Sequence, residues 1–170
     1  DMSERISMGN DARKRLMAGV DTLADAVKVT LGPRGRVVMI ARDGNVPQIT
    51  KDGVTVAKNV KRWHDDPVAL MGMQVVHEVA SASNIAVGDG TTTATVLAQA
   101  IAREGFRHMD GGANPVLLNQ GIAKAVGWVV AALRKMARLA STREEIQGVA
   151  TIAANGDARL GSLVTDAVEA

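Results

Sequence analysis

Gly88-Asp89-Gly90-Thr91-Thr92-Thr93 is the stretch whose residue types could do chemistry. Two glycines bracket a carboxylate, and three hydroxyl residues follow. Ala94, Val96, Leu97, Ala100 and Ile101 come next at helical spacing, so the threonines stand at a helix start. Inside a helix threonine is mediocre, because its branched side chain loses rotamer freedom. At a helix start its hydroxyl and the free backbone N–H groups can face a ligand. A helix N-terminus beside glycines suits phosphate. A carboxylate roughly 4 Å from a phosphate repels it by about 4 kcal/mol per charge pair at an effective dielectric of about 20. Mg²⁺ turns that repulsion into bridging, since it takes one or two carboxylates with phosphate oxygens and water. The six residues read as a magnesium–nucleotide site. The alternative is a loop that only caps a core helix.

Two further corners carry similar residue types. Thr30-Leu31-Gly32-Pro33-Arg34-Gly35 is a sharp helix-to-loop turn whose glycine lets a ligand approach the backbone. Lys51-Asp52-Gly53 places a cation beside an acid at a strand end, where both could meet phosphate and water. The alternative there is a solvated turn. His77 and Glu78 read as a polar edge, and His64 and His108 are isolated, so no metal cluster of histidines is expected.

The elements that must position these corners follow from periodicity. Leu16, Val20, Leu23, Val27 and Leu31 predict a helix over residues 11–31, capped by Asn10 or Asp11 and stopped by Gly32 and Pro33. Residues 36–41 and 46–50 read as strands joined by the Asp43-Gly44-Asn45 turn, with Pro47 favouring an edge. An isolated two-stranded ribbon is marginal in water, so it is expected to pair with something else. A short helix follows over 54–60. Asp65-Asp66-Pro67 opens another that is apolar almost all round over 68–87, as for a helix inside a bundle. The helix after the threonines runs to about Met109 and breaks at Gly111-Gly112. Asn114-Pro115 starts the next, with Leu118, Ile122, Val126, Val129, Leu133 and Met136 at helical spacing. Ser141-Thr142-Arg143-Glu144 reads as a capping box. Asn155-Gly156 is a turn, and Asp157 caps a last helix. Asp1 before Met2 reads as a scar or an internal start. Ala170 ends in mid-pattern, as if the chain were cut.

Composition narrows the function classes. The chain is 46% apolar and 22% charged, so it can bury a core. Trp63, Trp128 and Phe106 are its only aromatic residues, which leaves small and aliphatic side chains to pack helix on helix. Residues 136–170 hold 3 basic and 5 acidic side chains, leaving 17 and 13 of the 20 and 18 for residues 1–135. That split, +4 then −2, is too mild to argue for nucleic acid. No cysteine is present, which excludes disulfides, thiolate zinc sites and cysteine nucleophiles. No apolar run approaches the roughly 20 residues of a membrane span, and no signal peptide opens the chain, so no membrane partner is expected.

Several stretches together resemble one family. These are Gly9-Asn10-Asp11-Ala12-Arg13 and Leu23-Ala24-Asp25-Ala26-Val27-Lys28-Val29-Thr30-Leu31-Gly32-Pro33. Ile49-Thr50-Lys51-Asp52-Gly53-Val54 and Glu78-Val79-Ala80-Ser81 follow. The longest runs from Gly88 through Thr91-Thr92-Thr93-Ala94-Thr95-Val96-Leu97-Ala98-Gln99-Ala100 to Ile101. Gly121-Ile122, Lys124-Ala125-Val126 and Ala154-Asn155 also fit. In this order they resemble the amino-terminal part of a group I chaperonin, the GroEL type. The resemblance spans about residues 8–168. The other common nucleotide motif, Gly-x-x-x-x-Gly-Lys-Ser/Thr, is absent.

The resemblance implies a mainly α fold: the helical bundle of a chaperonin equatorial domain with a small β-hairpin, plus the start of the intermediate domain. It implies that residues 1–135 belong to the ATP-binding equatorial domain and residues 136–170 to the hinge-like intermediate domain. Thr30, Leu31, Gly32 and Pro33 would line the adenine nucleotide, with Lys51 near its phosphates. Asp89 would hold Mg²⁺, and Gly90, Thr91, Thr92 and Thr93 would bind phosphate oxygens. Asp52 would lie beside the γ-phosphate as the catalytic candidate, placing the attacking water or a second cation such as K⁺.

Further implied are ATP hydrolysis coupled to folding of unfolded client proteins, identical subunits in a heptameric ring stacked as a double ring, a co-chaperonin of the GroES type, and a bacterial cytoplasmic location. The hairpin would pair with a neighbouring subunit. The segment 61–70 departs from the family pattern, as do Ser83 and Ile85. The apical domain, the returning half of the intermediate domain with its water-activating aspartate, and the closing equatorial helices have no counterpart in these residues. The chain would thus carry part of an ATPase site without its main base. A short chaperonin-derived product with an interaction role is the second reading. An unrelated helical nucleotide-binding enzyme is the third, but no self-contained base and substrate pocket supports it.

Overall fold

A computed structural model of the chain describes residues 6–42, 44–60 and 64–170. The polar opening residues 1–5, Asp43 of the expected turn, and Lys61, Arg62 and Trp63 of the divergent segment lie outside the described residues. The order is α1 (Gly9–Lys28), β1 (Val38–Arg42), β2 (Asn45–Thr50), α2 (Gly53–Val60), α3 (Pro67–Val87), α4 (Thr91–Asp110), α5 (Pro115–Met136), α6 (Arg143–Ala153) and α7 (Ala158–Glu169). The fold is mainly α with one small antiparallel hairpin, as the sequence implies. The chain forms two compact units, Asp1–Gly111 and Gly112–Ala170.

In the first unit α1 packs on α2, α3 and α4. Val20, Leu23 and Val27 of α1 meet Val56 and Ala57 of α2 and Met73, Val76 and Ala80 of α3 in the core. Two glycines let α1 and α3 cross closely. A Cβ on Gly19 would lie 1.8 Å from the Ala69 carbonyl oxygen, and one on Gly72 would lie 2.0 Å from that of Leu16. The α3 sequence predicts burial all round, but the structure buries only the face with Ala69, Gly72, Met73, Val76 and Ala80. Met71, Val75, Ile85 and Val87 stay exposed, because α1, α2 and α4 all meet α3 on one side.

Helix starts follow local capping with two departures. Asp66 caps α3 by accepting the Val68 N–H, with proline in the first turn. Asn114 and Asp157 cap α5 and α7 as expected. Helix α1 starts at Gly9 after Met8, without the expected side-chain cap, because Asn10 and Asp11 already lie inside it. Their side chains meet Arg13 and Arg15 instead. The capping box sits one residue later than the sequence reading placed it. Thr142 accepts the Glu145 N–H, and the Glu145 carboxylate accepts from the N–H groups of Ser141 and Thr142.

The hairpin pairs Val38 with Thr50, Met39 with Ile49 and Ile40 with Gln48. Ile40 is buried, while Met39, Val46 and Ile49 are exposed.

In the second unit α6 packs on α7. Gly161 admits the Thr151 side chain, and Arg143 bridges Asp166 and Glu169. None of the α5 residues is buried. This helix corrects the expectation that no segment reaches membrane-span dimensions: its 22 residues meet the criterion of length and composition. Its apolar residues are interleaved with Asn119, Gln120 and Lys124, so no uninterrupted run reveals it. Lys124 lies 5.2 Å from the centroid of the Trp128 ring, a cation–π pair one helical turn apart.

Candidate functional site

The end of α1 builds the first corner. The Thr30 N–H and hydroxyl both reach the Val27 carbonyl, at 3.1 and 2.8 Å. Gly32 takes φ 74°, and the chain turns so that Gly35 N–H donates to Gly32 and Arg36 N–H to Val29. A Cβ on Gly35 would lie 2.1 Å from the Thr30 carbonyl oxygen, so a side chain there would force the corner open. Thr30 is buried, and Leu31, Gly32 and Pro33 are exposed at the turn.

The second corner precedes α2. The Asp52 carboxylate accepts the N–H groups of Val54 and Thr55, at 3.2 and 3.0 Å, and also the Thr55 hydroxyl. Asp52 is therefore the N-cap of α2, a role the sequence reading did not assign it, although an acid directly before a helix is the usual signal. Lys51 is exposed, with no hydrogen bond or ion pair among the described residues.

The third corner joins α3 to α4. Asp89 sits between Gly88 at φ 74° and Gly90 at φ 76°, conformations that favour glycine. Its Oδ1 accepts the Gly90 N–H at 2.6 Å. Its carbonyl accepts the Ser83 hydroxyl at 3.0 Å, a contact the sequence did not announce. Gly90 is the N-cap of α4 and brings no side chain to cap it, so the Thr91, Thr92 and Thr93 N–H groups have no capping partner. Thr91 is buried and Thr93 exposed.

The fold brings the three corners together. The hydroxyls of Thr30 and Thr92 lie 3.2 Å apart, across 62 residues of sequence. A Cβ on Gly53 would lie 2.4 Å from the Thr92 hydroxyl and 3.2 Å from that of Thr91. Gly53 is thus the small residue that lets α2 start against the start of α4. The result is an open helix N-terminus with the hydroxyls of Thr30, Thr91 and Thr92 at or beside it, and with the exposed Lys51 and Asp89 each two residues along the chain from this contact.

This donor set fits a polyanion that shares a hard divalent cation. No group of three or more metal-binding side chains occurs among the described residues. The described residues therefore build no closed all-protein cage. One carboxylate beside phosphate oxygens and water is the arrangement Mg²⁺ prefers. Open N–H groups at a helix start complement phosphate charge.

Comparison with known proteins agrees with this architecture. A group III chaperonin crystallised in the open state is similar at 30% identity and a TM-score of 0.73, over 94% of this chain and 31% of that one. The chaperonin gp146 from the bacteriophage EL 2 (Pseudomonas aeruginosa), crystallised with ATP-BeFx, is similar at 30% identity and a TM-score of 0.72, over 93% of this chain and 28% of that one. The chain thus spans about a third of the length of the chaperonins it matches. The match to the group I type in particular is not reproduced by these two structures. Residues 23–170 match the TCP-1/cpn60 chaperonin family, and with the helical fold and the solved relatives this places the chain in that family.

Proposed function

We propose that this chain is the amino-terminal part of an ATP-dependent chaperonin subunit and forms the phosphate and Mg²⁺ end of its ATP site. The observation that carries the reading is the 3.2 Å approach of the Thr30 and Thr92 hydroxyls, which gathers three sequence-distant corners around one open helix start. Thr91, Thr92 and Thr93, with Gly90, offer N–H and hydroxyl donors to phosphate oxygens. Lys51 adds an exposed positive charge. Thr30, Leu31, Gly32 and Pro33 form the rim against the nucleotide. Asp89 holds Mg²⁺, which when bound supplies charge neutralisation between phosphate oxygens. Asp52 places the attacking water or a K⁺ ion through the lone pairs that capping leaves free.

The wider reading places residues 1–135 in the equatorial domain and 136–170 in the intermediate domain. The complete subunit would work as a chaperone in a ring of identical subunits, and the exposed hairpin would pair with a neighbour. A group I assembly, with heptameric double rings and a co-chaperonin of the GroES type in the bacterial cytoplasm, is the form the sequence motifs favour.

The test is Mg–ATP calorimetry on the full-length subunit. Asp89→Ala is expected to abolish the magnesium dependence of nucleotide binding. Unchanged magnesium dependence in that variant would reject Asp89 as the ligand.

A further inference from the structure

The residues that α4 buries are all polar. Thr91, Thr95 and Gln99 follow at four-residue steps and form the buried stripe of this helix. The Thr95 hydroxyl is satisfied locally by the Thr91 carbonyl at 2.9 Å. Gln99 is 5% exposed and reaches across to α1. Its amide nitrogen donates to Asp21 Oδ1 at 2.7 Å and to Asp25 Oδ1 at 2.9 Å. Those two acids are one helical turn apart on α1. Arg103, one turn further along α4, also donates to Asp21 Oδ1, at 2.6 Å. Lys28, in the last turn of α1, pairs with Asp25. Lys28 and Gln99 hold the Asp25 carboxyl below its ordinary value.

Apolar contacts between helices are non-directional, so their register rests on shape alone. Directed hydrogen bonds add a second constraint, because a slide would leave the buried Gln99 amide unpaired. The amide of Gln99 spans two acids on successive turns and so fits one register. A slip of one turn is about 5.4 Å, far more than the 3.2 Å that separates the Thr30 and Thr92 hydroxyls. Thr30 continues directly from α1, and Thr92 lies in the first turn of α4. The register of these two helices therefore decides whether the hydroxyls meet.

We infer that Gln99 is a positioning residue for the candidate nucleotide site: by bridging Asp21 and Asp25 it sets the α1–α4 register that brings Thr30 and Thr92 together. Gln99 acts through the two helices and lies two turns along α4 from the threonines. The inference rests on the nucleotide reading above only for what the register serves.

Two readouts on the full-length subunit separate the two claims. The first is Mg–ATP affinity, measured well below the melting temperature. The second is the rate of disulfide formation between cysteines placed by Thr30→Cys and Thr92→Cys, in a background without other cysteines. Gln99→Met keeps the length and loses the donors. It is expected to weaken Mg–ATP binding about tenfold, the order of one lost hydrogen bond to a charged group, and to slow the cross-link. Arg103→Ala removes the outer, exposed part of the network and serves if Gln99→Met does not fold; about a threefold loss is expected, in line with a more exposed ion pair. A variant that melts earlier but keeps parental affinity and cross-linking rate overturns the inference and leaves Gln99 a stability residue. Gln99-dependent cross-linking in a parent that binds no nucleotide overturns the nucleotide reading and, with it, the role of Gln99 in binding.

Discussion

The carbonyl oxygen of Leu16 occupies the space where a side chain on Gly72 would begin, 2.0 Å from an ideal Cβ. Helices α1 and α3 can lie this close only because Gly72 faces the backbone of Leu16 and Gly19 that of Ala69. Gly72→Ala must push the helices apart, since the obstructing atom belongs to the main chain. A loss of about 1–3 kcal/mol is expected, the usual range for overpacking, read as a lower chemical-denaturation midpoint. Gly121→Ala in α5 meets nothing within 4 Å and is the control; it is expected to be neutral or to gain up to about 1 kcal/mol. Equal midpoints for the two variants would refute the close crossing.

Arg15 clamps Asp66 through two nitrogens, Nε to Oδ2 at 2.7 Å and Nη2 to Oδ1 at 2.5 Å. The guanidinium hydrogen bond, helped by the Val68 N–H, holds the Asp66 carboxyl at about 2 against the ordinary 3.8. A lowered folded value means that the stabilisation is complete above the ordinary value and is lost as pH falls through about 2. NMR titration should place Asp66 near 2, and Arg15→Leu should return it toward 3.8. An Asp66 that titrates near 3.8 with Arg15 intact contradicts the clamp.

Gly53→Ala tests the contact between the second and third corners. The new Cβ would meet the Thr92 hydroxyl at 2.4 Å and displace it from Thr30. Nucleotide affinity of the full-length subunit is expected to fall about tenfold, the order of one misplaced hydrogen-bonding group. Parental affinity in calorimetry would show that Thr92 can turn away without consequence.

Thr142→Ala removes half of a capping box that also gathers the Ser141 and Thr142 N–H groups on Glu145. The expected cost is about 1 kcal/mol, concentrated at the start of α6. Amide exchange should speed up at Glu145 and stay unchanged in α1.

The 170-residue chain alone is expected to associate. Leu117, Val126, Trp128, Val129, Leu133 and Met136 all lie exposed along α5, and the outer face of α3 adds Met71, Val75 and Ile85. Apolar surface on this scale marks an interaction face. Light scattering that finds a monodisperse monomer with a sharp cooperative melt would contradict this.

Features decided by near neighbours were readable from the sequence. Asp66-Pro67, Asn114-Pro115 and Asp157 announce helix starts because capping involves only the next few N–H groups. The capping box slipped by one because Ser141 and Thr142 can both serve as caps, and only Glu145 decides between them. The start of α1 carries no capping signal in the sequence, because Gly9, at φ 71°, enters the helix without any side-chain cap. The half-burial of α3 depends on which helices surround it, which its own pattern does not encode. At the site, glycines, hydroxyls and acids marked each corner. Their meeting at Thr30 and Thr92 required the packing of α1, α2 and α4, and the Gln99 bridge was invisible because its partners lie 74 and 78 residues away.

Asp52 is already engaged as the stopper of α2, with both oxygens turned onto that helix's first amides. Any reach by this carboxylate toward an outside group would uncork the helix and strand two amides. It therefore behaves as an anchored post: whatever it touches must come to it, and its reach is set by where α2 begins.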